Sequence, residues 1–374
     1  MSTDIQIPVL QVIRQGIIGG GESHVISLVE NIDRGKFRPV VLSFTDGPMV
    51  DTITRMGVPM HVIPTTTPFD VRVWGKVNSL LKKEGIKLVH AHGTRAASNV
   101  FWACRQNDIP MIYTIHGWSF HDNQSFMVRK FRKISEQFIV NKASTNISVS
   151  KSNQETGFKA LHNFKSKVIN NGINLSKFNP ALTYQDIREQ LRIPVDSTLF
   201  GFIARITIQK NPIGMLEAFA SVAKQHNNVH LLMVGEGDMK EETLQKAASL
   251  GISSNITFMN FSSEVPALLN AIDVYCLPSF WEGLPIGLLE AMAMGKAVVA
   301  SEVDGTKEII KSLDNGILID PNDTNSIAAA MIQLHVNKQL ANKVRENAIV
   351  TIREKYLVEN MTHEIEGVYE NNLF

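Results

Sequence analysis

Cysteine, long apolar runs and net charge are all scarce in this 374-residue chain. Cys104 and Cys276 are the only cysteines, far apart and each inside an apolar run, which excludes a disulfide framework and points to buried thiols in a reducing compartment. No stretch approaches the roughly 18 consecutive apolar residues that a membrane-spanning helix needs, so membrane association is expected to be peripheral. Lys plus Arg (37) nearly cancels Asp plus Glu (36), which removes the overall field that draws basic proteins to nucleic acid. The start, Met1 to Val12, carries Asp4 and no basic region, and its apolar stretch is broken by Gln6, Pro8 and Gln11. That pattern is unlike a signal peptide, and a cytoplasmic location is expected. There is no low-complexity tract, heptad run or short-period repeat.

What is present is a globular balance, 44% hydrophobic and 20% charged, over a length that predicts two domains of about 150 to 200 residues. The first half repeats a rhythm of β-rich run, loop and helical pattern, with candidate buried parallel strands at Pro8–Ile13, Phe37–Phe44, Lys87–His92, Met111–His116 and Thr145–Ser150. Around Val168 to Asn179 the chain turns dense in Asn, Gly and Pro, which places a domain boundary at 177/178. The rhythm then restarts with Leu199–Ala204, His230–Val234, Ile256–Met259, Val274–Leu277, Ala297–Ser301 and Ile317–Asp320. The expected fold class is α/β, two Rossmann-like doubly wound domains facing across a cleft, with ligands at the strand C-termini.

Three clusters carry chemistry. Gly19, Gly20 and Gly21 follow the first strand and lead into a helical pattern from His24 to Asn31; they read either as backbone amides curled around an anion or as a tight turn, and they lack the spacing of the dinucleotide fingerprint and of the P-loop. Arg205 and Lys210 end the second domain's first strand, just before Asn211 and Pro212 open a helix. They read either as a diphosphate clamp, a planar fork with a mobile point charge, or as a solvated surface pair. The third cluster is PSFWEGLPIGLLEAMAMGKAVVAS, Pro278 to Ser301. Glu282 lies in its loop and Glu290 on the apolar helix Gly287–Met294, where a carboxylate needs a partner; a ribose diol, a cap or a cation would each serve.

This last segment resembles the E-x7-E signature of family 4 retaining glycosyltransferases, of the GT-B fold. GGGESHV (Gly19–Val25), TIHGW (Thr114–Trp118), SVS (Ser148–Ser150), NNGIN (Asn170–Asn174), AR…QK (Ala204–Lys210) and VGEGDM (Val234–Met239) stand in that family's order and spacing. The resemblance implies an N-terminal acceptor-side domain over 1–177, a nucleotide-sugar-binding domain over 178–349, and a terminal helix over 350–374 that crosses back. Gly20 and Gly21 would present amides to the diphosphate or sugar, and Arg205 and Lys210 would hold the diphosphate. Glu290 would take the ribose, Glu282 the sugar hydroxyls, and the amides of Leu284, Pro285, Ile286 and Gly287 would face phosphate. His116 would contact the sugar near the reacting carbon, whereas His90 and His61 read as satisfied core histidines.

The implied activity is retaining hexosyl transfer from a UDP- or GDP-linked sugar to a glycan or lipid-linked acceptor in surface polysaccharide synthesis. The charge of the leaving diphosphate would fall on Arg205, Lys210 and helix dipoles. No D-x-D sequence occurs, so neither metal nor other cofactor is expected; the nucleotide sugar is a substrate. A non-catalytic nucleotide-sugar-binding subunit and a sugar-nucleotide epimerase of the same fold are the alternatives. The chain departs from the family pattern at Asn260, where glycine is usual, at Asp304–Gly305, where Gly-Gly is usual, and at Lys307, where proline usually precedes the acid. Finally, Phe126 to Lys142 is helical with Arg129, Lys130, Arg132 and Lys133 among apolar residues. It reads either as an ordinary amphipathic surface helix or as a peripheral contact with the inner membrane's cytoplasmic face.

Overall fold

The structure, a computed structural model, describes residues 6–121 and 124–374; Met1 to Ile5, including Asp4, lie outside the described residues. Seven parallel strands form the first sheet: β1 (Ile7–Ile13), β2 (Phe37–Ser43), β3 (Met60–Val62), β4 (Leu88–His92), β5 (Met111–Ile115), β6 (Thr145–Ser148) and β7 (Lys167–Val168), ordered β3-β2-β1-β4-β5-β6-β7. Six form the second: β8 (Thr198–Ile203), β9 (Val229–Val234), β10 (Ile256–Met259), β11 (Val274–Leu277), β12 (Ala297–Ser301) and β13 (Ile317–Ile319), ordered β10-β9-β8-β11-β12-β13. All eleven expected strands are present within a residue or two. The two that sequence reasoning missed, β3 and β7, are three and two residues long at sheet edges, too short to show a period.

In each sheet the order reverses beside the first strand, at β1/β4 and at β8/β11, and loops leaving neighbouring strands there diverge and open a crevice at the strand C-termini. Away from the sheet edges the strands are buried on both faces, as helix-covered parallel strands must be; Phe200, Phe202 and Phe219 anchor the second core, and Leu10, Val12, Leu42 and Tyr113 the first.

The chain divides into two compact units, one comprising residues up to Gly172 together with Val358–Phe374, the other Ile173–Leu357. These limits differ from the expected 177 and 349. Ile173 bridges to Leu357 and its amide donates to the Tyr356 carbonyl, so the chain changes units at that paired crossing. The helical stretch expected over Val350–Tyr369 is in fact two helices, Lys338–Lys355 and Val358–Leu373, broken at Tyr356. The first packs on the helix Ile286–Ala293 and on β12. The second lays Val358, Met361, Ile365, Val368 and Tyr369, a helical stripe, against Val9, Leu88, Ile112 and Ile147 of the first sheet. Each such buried side chain contributes about 1.5–3 kcal/mol of burial, which fixes this last helix to the first unit.

Candidate active site

In the first unit the helix after β1 begins at Gly20, four residues earlier than expected, with Gly19 as an N-cap that provides no side-chain bond. The first-turn amides, Gly20 and Gly21 included, therefore begin the helix without a side-chain acceptor at its cap. A Cβ on Gly21 would lie 3.5 Å from the His116 ring, so the glycine turn and His116, one residue beyond β5, form one surface.

Behind that surface runs a buried hydrogen-bonded chain that crosses the sheet. Gln11 Nε2 donates to the Tyr369 hydroxyl (2.8 Å), which donates to His90 Nδ1 (2.7 Å), and His90 Nε2 donates to Thr114 Oγ1 (2.7 Å). With its nitrogen committed, Gln11 presents Oε1 to His92 Nε2 (3.0 Å), which must carry the proton because a carbonyl oxygen only accepts. His92 Nδ1 is then bare and accepts from His116 Nε2 at 3.1 Å. A tyrosine on the last helix thus sets the tautomer of His116. Burial lowers the pKa of His90, His92 and His116 well below the ordinary imidazole value, and that of His24 to about 4, so these rings are neutral at pH 7. The core role expected of His90 fits its two bonds; His61 instead sits half-buried at the sheet edge, 3.2 Å from Glu84.

The second unit builds its site at β8 and β11. Arg205 and Lys210 lie on the loop between β8 and the helix Pro212–Gln225, and a Cβ on Gly237 would stand 1.9 Å from the Ile206 carbonyl. Only glycine lets the loop after β9 close on the arginine loop, where Ile206 N donates to Glu236 O at 2.9 Å; the VGEGDM motif thus serves to hold AR…QK in place. Arg205 is exposed, with Gln209 Oε1 at 3.4 Å. Lys210 and Glu282 form a largely buried ion pair at 2.5 Å. The two residues assigned separately to phosphate and to sugar are therefore one unit, in which the carboxylate aims the ammonium.

Glu290 is different. It lies half-buried on the helix Ile286–Ala293, with no hydrogen-bond or ion-pair partner among the described residues, and burial pushes its carboxyl up to about 7, against a smaller opposing pull from Lys177. Its charge and that of Glu282 both reach the buried Tyr275 phenol, which places the two acids around one ring. The helix starts at Ile286 with Pro285 as N-cap and no side-chain cap. Proline has no N–H, so Pro285 cannot act as the expected phosphate donor; Leu284, Ile286 and Gly287 remain.

Sequence reasoning missed several groups. His92 could have been read from the His90-x-His92 spacing, since alternate strand residues share a face; Gln11 and Tyr369 could not, being 358 residues apart. The hydroxyls of Thr207, Ser279 and Thr306 are buried without partners among the described residues. They follow β8, β11 and β12, the strand ends that carry Arg205 and Glu282. Asp304, where glycine is usual, adopts φ +35° and accepts from the Glu282 amide at 3.1 Å. A Cβ on the next residue, Gly305, would meet the Gly283 carbonyl at 1.9 Å. The Gly-Gly pattern thus marks a left-handed turn and a close backbone approach, and Asp304 satisfies the turn while bracing the Glu282 loop. Asn260 is held by Lys240 Nζ at 2.6 Å.

Two family models divide the chain between them. Residues 18–177 match Glycosyltransferase Family 4, and residues 183–351 match Glycosyl transferases group 1. The chain belongs to these glycosyltransferases. Its relatives include the Escherichia coli UDP-Gal:alpha-D-GlcNAc-diphosphoundecaprenol alpha-1,3-galactosyltransferase, 26% identical over 91% of this chain and 90% of that protein. Another is the phosphatidyl-myo-inositol mannosyltransferase of Mycobacterium leprae, 26% identical over 94% and 93%. Among solved structures, Anabaena Alr3699/HepE in complex with UDP and glucose superposes with a TM-score of 0.87 at 21% identity, covering 98% of this chain and 100% of that one. The likeness gives this glycosyltransferase the GT-B fold.

Proposed function

We propose that this glycosyltransferase moves a hexose, with retention of anomeric configuration and without a metal ion, from a UDP- or GDP-linked donor to a glycan or lipid-linked acceptor in surface polysaccharide synthesis. The observation that carries the reading is Glu290: a half-buried carboxylate with no partner among the described residues, beside a helix start without a side-chain cap and a Lys210–Glu282 pair. A ribose diol supplies the two donors such a carboxylate lacks. The helix amides and Lys210 suit a diphosphate, whose charge grows as the sugar leaves. The E. coli relative's UDP-Gal and the UDP and glucose of the Anabaena neighbour favour uracil as the base. His116, its Nε2 proton committed to His92, offers its Nδ1 lone pair to a sugar hydroxyl. The departing phosphate takes the acceptor's proton, so no protein base is needed.

The helix Phe126–Lys142 supports a cytoplasmic enzyme that rests on the membrane. Its inner face is Glu136, Ile139 and Val140, while Phe126 (76% exposed), Met127 (75%), Phe131 (67%) and Ile134 (59%) point outward beside Lys130 and Arg132. An ordinary amphipathic helix buries such residues; an interfacial one inserts them between headgroups. Among the described residues no helix is long and apolar enough to cross a membrane.

Incubation with UDP- and GDP-hexoses tests the reading. Slow release of free sugar and nucleoside diphosphate without acceptor, undiminished by excess EDTA, is expected. A donor returned with one carbon inverted would make the protein an epimerase, donor binding without turnover a non-catalytic subunit, and activity lost to EDTA and restored by Mn²⁺ would end the metal-free account.

A further inference from the structure

The buried histidines of the first unit leave one atom unexplained. His24, on the first helix, places Nδ1 2.9 Å from Asn171 Oδ1. An amide oxygen only accepts, so Nδ1 carries the proton and Nε2 is a bare lone pair. That Nε2 is buried and has no hydrogen-bond partner among the described residues, a state with a real energetic cost in a polar site. His92 repeats the arrangement with Gln11 Oε1 as the acceptor, which bares Nδ1. Two neutral imidazoles, each pinned by an amide oxygen at one nitrogen, thus offer lone pairs at the other. This is the outer-shell pattern that orients metal-binding histidines. His116 completes the set: one ring nitrogen from each of His24, His92 and His116 lies within 4.8 Å of the other two.

We propose that His24, His92 and His116 bind a single divalent transition-metal ion of the zinc type. The neutral imidazole is the ligating form. Nitrogens bound at about 2.0–2.1 Å in a tetrahedron stand roughly 3.3 Å apart; His92 Nδ1 and His116 Nε2 are 3.1 Å apart, and His24 needs a shift of at most about 1.5 Å to join them. Coordination replaces the hydrogen bond between the two rings: the His116 proton moves from Nε2 to Nδ1, and no proton is released. Arg14, the cation whose charge reaches His116, opposes the ion and limits its affinity. Half-buried His116 is the entry side. Because His116 then presents an N–H in place of a lone pair to the sugar, the ion inhibits transfer instead of assisting it; this consequence alone rests on the function proposed above.

Chelator-stripped full-length protein titrated with Co²⁺ tests the site directly. A one-to-one tetrahedral cobalt absorption band, displaced by Zn²⁺, together with a zinc-dependent rise in Tm, is expected. His24→Phe should abolish both with its far-ultraviolet circular dichroism unchanged. Asn171→Leu lies outside the ligand set and keeps the test open if His24→Phe does not fold; it should weaken cobalt binding about 10- to 100-fold. Absence of the band and of the Tm shift at millimolar metal overturns the site, as does a band of full affinity in either variant. The spectrum reads out whether or not the protein transfers sugar, and zinc inhibition that is lost in His24→Phe adds the functional half.

Discussion

The polar groups around His116 in the first unit and around Glu290 in the second are prepared in opposite ways. In the first, the chain from Tyr369 through Gln11 and His92 is bonded at every link and ends at His116 with only Nδ1 left to a ligand, beside the bare Nε2 of His24. The second leaves Glu290 and the Thr207, Ser279 and Thr306 hydroxyls without partners among the described residues. A self-satisfied network holds geometry before any ligand arrives, which is what an element orienting a sugar requires. Unsatisfied groups cost stability in the empty protein and recover it on binding, which is what an element gripping a nucleotide requires. Substitutions in the second unit should therefore change catalysis and donor binding, and substitutions in the first should change stability and the pose of His116.

The sharpest division comes from the basic pair. Arg205→Ala and Lys210→Ala should each lower kcat by about 10² or more, the usual loss when one transition-state donor is removed. Lys210→Ala also strands the buried Glu282 carboxylate, so it should be the less stable of the two. Undiminished turnover in the double variant would remove the pair from the mechanism. Next in size, Glu290→Leu should raise the donor KM about ten- to a hundredfold, the worth of a charged hydrogen bond or two, with a smaller change in kcat. The empty protein should respond in the opposite sense. The folded-state pKa of Glu290, about 7, exceeds the ordinary 4.5, so the unfolded chain releases this proton first and stability falls as pH rises from about 4.5 to 7. Glu290→Gln should lose that part of the decline in a pH series of thermal melts; an unchanged slope would mean that the carboxylate has a partner after all.

Much of this comparison was legible in the sequence, and unevenly. The strands were readable because buried parallel strands are near-continuous apolar runs, and the phosphate-side residues because Gly, Arg, Lys and Glu stood at strand ends in a recognisable order. What escaped depended on long-range pairing. Nothing local in Gln11 or Tyr369 announces a partner across the chain, and the Lys210–Glu282 ion pair joins residues 72 apart. The break at Tyr356 escaped because Ile173, whose isolated bridge to Leu357 lies there, comes from the far side of the second unit in sequence. Pro285 differs from its expected role for a simpler reason: it stands inside the motif's run of positions, but a proline there owns no amide hydrogen.

The smallest expected effect is the most informative about the first unit. Tyr369→Phe keeps the ring, which is wholly buried against Phe37 at 5.5 Å between centroids, and deletes only the hydroxyl. Gln11 Nε2 and His90 Nδ1 then lose their shared partner in a site with no water access, at a cost of about 1–3 kcal/mol, read as a lower urea midpoint with an unchanged m-value. The released amide is also free to turn over and present Nε2 to His92. His92 would then have to accept at Nε2 and carry its proton on Nδ1, and His116 would lose its acceptor. Nitrogen-15 chemical shifts report which ring nitrogen is protonated, so the variant should show His92 changing tautomer and kcat falling a few-fold while the donor KM stays put. If stability and tautomer both match the wild type, His116 is oriented by packing alone, and the contrast between a pre-set unit and a waiting one loses its first half.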